Sequence, residues 1–166
     1  MQLTVTLSYT APPARVAAML ADPGFQARLC AATGDPRAAV EVTGEQDAPR
    51  VRTARRLPTD RFPSAIKALV GEEVTAVQTT HWAAADADGS RRGEVSVVVE
   101  GTPVRLAATA RIEPAAQGTR VTYDGDLTAK VPLVSGKVER AADPVVRSAL
   151  EAEQRVGEEW LAAHPA

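Results

Sequence analysis

Residues 133–163 read LVSGKVERAADPVVRSALEAEQRVGEEWLAA, and their periodicity decides the fold. Val134, Val138, Ala141, Val145, Ala149, Ala152, Val156 and Trp160 follow one another at steps of three and four residues. That spacing sets them on one face of a helix. Val146, Leu150 and Leu161 widen the stripe. On the opposite face Asp143, Arg147, Glu151 and Arg155 alternate in sign at i,i+4. A helix of this extent is roughly 45 Å long and needs a large apolar partner. Pro144 interrupts it, because proline lacks the N–H and clashes with the preceding turn. A kink or break is expected near 141–144.

Upstream, most of the chain reads as strand, so the partner is a sheet. Leu3, Val5, Leu7 and Tyr9 alternate with Gln2, Thr4, Thr6 and Ser8. Thr10 and Pro12 mark a first short helix with Val16, Met19 and Leu20 on its apolar side. Asp22-Pro23 opens a second, carrying Phe25, Leu29 and Ala32 and stopped by Gly34. Two strands, 38–45 and 50–57, flank the turn GEQDAP at 44–49. Alternation groups Val51, Thr53, Arg55 and Leu57, so Arg55 faces an interior unless the faces slip by one residue. In LPTDRFPSAIKALVGEE, 57–73, two prolines exclude a central strand, and Phe62, Ile66, Leu69 and Val70 have helical spacing. This is a short helix over a mouth, read either as a plain connector or as a lid. Four strands follow, at 73–83, 91–100, 104–113 and 119–131, separated by turn signals. Such regular spacing describes an antiparallel meander.

A chain of 166 residues fits one domain, 1–166, able to bury about 70% of its unfolded surface. With 45% hydrophobic residues but only 4% aromatic, its core is built from Val, Leu and Ala. The formal charge of −2 gives no basic excess for nucleic acid. Cys30 is the only cysteine, so no intrachain disulfide forms. No apolar run is long enough to span a membrane and no leader pattern is seen, so a cytoplasmic location is expected.

Motifs that carry chemistry are sparse. Metal sites need converging His, Cys or carboxylate ligands, and the chain has two histidines, His81 beside Trp82 and His164 in a tail expected to fray. No metal and no cofactor is expected. Cys30 reads as a small buried packing residue. No nucleophile elbow occurs, and VSGK at 134–137 lacks the first glycine and the Ser/Thr of a phosphate loop. Asp124 and Asp126 share the strand face opposite Tyr123 and Leu127, which makes them solvated, not a catalytic pair.

The order β-α-α-β-β-(α)-β-β-β-β-α with a long terminal helix resembles the START-like, or helix-grip, superfamily. Three stretches, RRLPTDRFPSAIKALVGEE at 55–73, TTHW at 79–82 and KVPLVSGKVE at 130–139, resemble an uncharacterised bacterial family within it. The resemblance implies an α+β fold in which seven curved antiparallel strands wrap the long C-terminal helix. It brings no catalytic residue. Small residues face each other across that arrangement, Ala142 and Ala149 on the helix and Ala108 on a strand. Small residues permit either close approach or a void, and the resemblance favours a pocket. Its polar groups would be Tyr9, Arg55, Gln78, Thr80 and Tyr123. Its walls would be Leu57, Phe62, Ile66, Trp82, Val97, Leu106, Leu127, Val138 and Val145. Binding of a small apolar, lipid-like or amphipathic ligand is the first expectation. The alternatives are a polyketide cyclase/dehydratase-like enzyme using Tyr123, Arg55 and His81, and a closed-core interaction module presenting Arg105, Arg111, Asp124 and Asp126.

Overall fold

A computed structural model describes residues 1–166. The strands are β1 (Gln2–Tyr9), β2 (Ala39–Glu45), β3 (Ala48–Pro58), β4 (Glu73–Trp82), β5 (Arg91–Val99), β6 (Val104–Ala115) and β7 (Gly118–Ala129). The helices are α1 (Pro13–Leu20), α2 (Pro23–Ala32), α3 (Ser64–Val70) and α4 (Ser135–Ala163). All seven strands form one antiparallel sheet in the order β1-β7-β6-β5-β4-β3-β2. β2 to β7 are a meander, and β1 closes on β7, so α1 and α2 carry the chain from one sheet edge to the other. This is the arrangement the helix-grip resemblance implied.

Local chemistry explains the elements. The Asp22 carboxylate accepts the Gly24 and Phe25 N–H groups at 2.7 and 3.1 Å, capping α2 where a proline needs no donor satisfied. The β2–β3 turn is tighter than its sequence suggests. Gly44 still pairs with Pro49 and Glu45 with Ala48, leaving Gln46 and Asp47 to make the reversal. Thr10 does not start α1, whose N-cap is Pro12. Instead its N–H and hydroxyl donate to Glu158 at 2.9 and 3.1 Å, and the Ser8 N–H donates to Gln154 at 3.0 Å. Side chains of α4 thus occupy donors that edge strand β1 would otherwise expose.

α4 runs unbroken through Pro144. Pro144 and Arg140 are both exposed, so water can reach the Arg140 carbonyl that proline leaves without its donor. Ser135 fixes the start of α4 by bonding both the N–H and the carbonyl of Val131. The tail is ordered: His164 stacks on Trp160 with ring centroids 4.0 Å apart, and the Arg15 guanidinium bonds the Leu161 and His164 carbonyls. In α2 the buried residues are Phe25, Gln26, Leu29 and Cys30, while Ala32 faces solvent.

The core divides along α4. Around its C-terminal half, Val16, Met19, Leu20 and Phe25 from α1 and α2 pack with Ile112, Val121, Val156 and Leu161 in one large cluster. Trp160 meets Phe25 edge to face at 5.9 Å. Around its N-terminal half, only small clusters form, one on Leu3, Leu127 and Ala142 and another on Ile66, Ala129 and Val138. The two-helix insertion fills one end of the sheet's concave face and leaves the other end to α3.

Candidate functional site: a cavity under the first half of the long helix

At the less filled end lies a partly open cavity of about 160 Å³ between the sheet, α3 and α4. Its size follows from its side chains. Ala76, Ala108, Gly125, Ala142 and Ala149 all line it. Gly125 pairs directly with Ala108, and a Cβ at 125 would lie 2.5 Å from the Ala108 Cβ. That stretch of wall is therefore backbone and methyl groups.

Most of the residues expected from the sequence line this space: Arg55 and Leu57 of β3, Phe62 and Ile66 at α3, Gln78 of β4 and Val97 of β5. Leu106 and Ala108 of β6, Tyr123 and Leu127 of β7, and Val138, Ala142, Val145 and Ala149 of α4 complete that set. Leu3, Val5, Val70, Val74, Val95, Val104, Val146 and Leu150 line it as well. Arg55 faces in because Val51 and Thr53, both buried, fix the parity of β3.

Three expected residues lie elsewhere. Thr80 and Trp82 border a narrow polar recess next to the cavity, together with Gln26, Thr53 and Glu153. Trp82 lies over Gly93, where a Cβ would come within 2.7 Å of the indole. Tyr9 is pressed against Gly157 of α4 and is only 2% exposed. All three sit toward the end of the sheet that α1 and α2 cover. His81 points to the outer, exposed face, between Arg50 and Glu94 in register.

Gln78 and Tyr123 border both the cavity and the recess, and so join them. Behind Tyr123 is Glu153, a carboxyl group on α4 that is 6% exposed. The Tyr123 hydroxyl donates to Glu153 Oε1 at 2.7 Å. The Tyr9 hydroxyl is buried beside the same carboxyl group, outside good hydrogen-bond geometry. Burial pushes the Glu153 carboxyl up to about 7, with the Tyr123 hydroxyl and the Arg55 charge pulling the other way. Burial also drives the Tyr9 and Tyr123 phenols far above their usual range, and the Glu153 charge adds to it. Arg55 donates through Nη1 to Thr33 Oγ1 at 2.8 Å, at the C-terminal end of α2, while its buried Nε has no partner. Glu153 was the residue sequence reasoning missed. Its signal was present: it falls four after Ala149 and three before Val156, inside the apolar stripe.

The sequence matches, over residues 4–161, the family described as protein of unknown function DUF2505, and the chain belongs to it. No curated protein matches it in sequence. Among solved structures it is similar to TTHA0849 from Thermus thermophilus, at 18% identity and TM-score 0.64 with all of both chains covered. It is also similar to norcoclaurine synthase from Thalictrum flavum, at 13% identity and TM-score 0.55, covering 100% of this chain and 88% of that one. The Zhui aromatase/cyclase from Streptomyces sp. R1128 aligns at 18% identity and TM-score 0.52, with 96% and 90% covered. At these identities the likeness is one of fold, and the fold is helix-grip.

Proposed function

We propose that this member of the DUF2505 family binds a small apolar or amphipathic molecule between the sheet and the first half of α4, with access past α3. One observation carries the reading. The cavity of about 160 Å³ is walled mostly by aliphatic side chains, with Arg55, Gln78 and Tyr123 among its few polar ones. A volume of that order accommodates a molecule about the size of benzene. Apolar walls with few polar groups are the usual make-up of a small-molecule site. The base of α3 is anchored, since Thr59 donates its N–H to the Glu72 carbonyl at 3.0 Å and its hydroxyl to the Gly71 carbonyl. The helix itself buries only Ile66, and Leu69 is 73% exposed. A segment so lightly held is the cheapest part of the wall to displace.

Native mass spectrometry of freshly purified protein, before and after denaturation, tests the proposal. A mass released on denaturation, or a thermal shift with short fatty acids and aryl compounds, supports it. Neither result, across such a panel, refutes it.

A catalytic reading has one observation behind it, the hydrogen-bonded Tyr123–Glu153 pair, whose carboxyl group titrates near neutrality at about 7. General acid–base groups work best at such values. His81, on the outer face, takes no part. Recovery of a chemically altered compound after incubation favours catalysis, and recovery of the unaltered compound favours carriage.

A further inference from the structure

The cavity holds one charge that nothing in the protein pairs. Of the two charged residues at its wall, Arg105 belongs to the outward, exposed face of β6, whereas Arg55 points inward. The neighbouring Arg56 is matched: it takes the buried Asp35 carboxylate at 3.4 Å, and the Asp35 side chain also accepts the Arg56 N–H at 2.8 Å. Arg55 forms no ion pair. Its only hydrogen bond is to the Thr33 hydroxyl, and its Nε is buried and unpartnered. A partly buried guanidinium whose Nε is shut away from water is costly unless an anion meets it. Glu153 is near enough to feel the Arg55 charge but lies beyond ion-pair distance, and its burial favours the neutral form.

Beside it, on the adjacent strand β4, is Gln78, whose amide N–H₂ is a donor, while the Tyr123 O–H is already given to Glu153. A second donor thus stands beside the cation in an apolar slot. Guanidinium and amide donors together match a carboxylate, which accepts through two oxygens and donates nothing. We propose that the ligand is a monocarboxylate, a single-ring aryl or short-chain alkyl acid, with its hydrocarbon part between the sheet and α4 and its head on Arg55 and Gln78. The proposal rests on the cavity reading above and specifies the chemistry of its inner end.

Matched pairs of probes test it: octanoate against octanol, and 3-phenylpropionate against 3-phenylpropanol, titrated calorimetrically near pH 6. The acid of each pair should bind about tenfold tighter than the alcohol, the gain of a charge-assisted contact. Arg55→Met should reduce the advantage of each acid over its alcohol to within about twofold. Alcohols binding as tightly as acids to the unaltered protein overturn the carboxylate assignment and leave the cavity reading intact. Retained acid preference in R55M overturns the role of Arg55. If neither member of either pair binds, the cavity reading falls and takes the assignment with it. The comparison in the unaltered protein decides the matter even if R55M does not fold.

Discussion

Glu153 is the residue whose behaviour departs furthest from its type. Its carboxyl is raised from 4.5 to about 7, first by burial. Between those two values the folded chain holds a proton that the unfolded chain has released. Stability therefore falls as pH rises through that window and levels off above it. The contribution is fully present below 4.5 and is lost through about 7, an effect of about 3 kcal/mol. Glu153→Gln removes this titration. Denaturant unfolding at pH 5 and pH 8 should show E153Q gaining about 3 kcal/mol over the unaltered protein between the two conditions. Parallel pH profiles for both proteins would contradict it. Tyr123→Phe acts on the same contact from the other side, leaving the Glu153 carboxylate without its donor. It should cost about 1–3 kcal/mol at pH 8 and less at pH 5, where the neutral acid needs that donor less.

At the scale of elements, α4 carries two separate jobs along its length. Its C-terminal half is clamped by close packing. Gly157 lets the Tyr9 ring approach, since a Cβ there would lie 2.6 Å from Tyr9 Cε1 and 3.0 Å from Met19 Cε. Gly157→Ala would gain about 1 kcal/mol of helix propensity. The rigid, buried ring cannot yield, so the net effect should be a loss of about 1–3 kcal/mol in urea unfolding. The N-terminal half of α4 faces the cavity instead. Opposite it, α3 has no side-chain cap and one buried residue. Its amides should exchange with solvent well before those of β6 and β7 and slow when a ligand binds. Exchange as slow as in the central strands would mean that α3 is a fixed wall, not a lid.

For the molecule as a whole, the same sheet supports a packed end and an open end, and the volume between them is set by small residues. Ala149→Leu should place its side chain in the cavity, abolish ligand uptake and leave the melting temperature unchanged or higher. A lower melting temperature would mean the space is already filled to native density. No helix of the molecule is long and apolar enough to cross a membrane. Much of this was legible in the chain itself. Period-2 and period-3.6 patterns depend only on neighbours in sequence, so the strands and the long amphipathic helix followed from them, while the parity of Arg55 stayed open by one residue. No break occurs at Pro144, because a lone proline in the sequence says nothing about solvent reaching the carbonyl it strands. Thr80, Trp82 and Tyr9 share the inward parity of the cavity residues, yet α1 and α2 cover their end of the sheet, and parity cannot tell one end from the other. Sequence alone determined which residues share a face. Only the tertiary structure decided which of them meet a void, which meet packed helices, and that Glu153 is shut in beside Tyr123, because those outcomes depend on what arrives from a distant part of the chain.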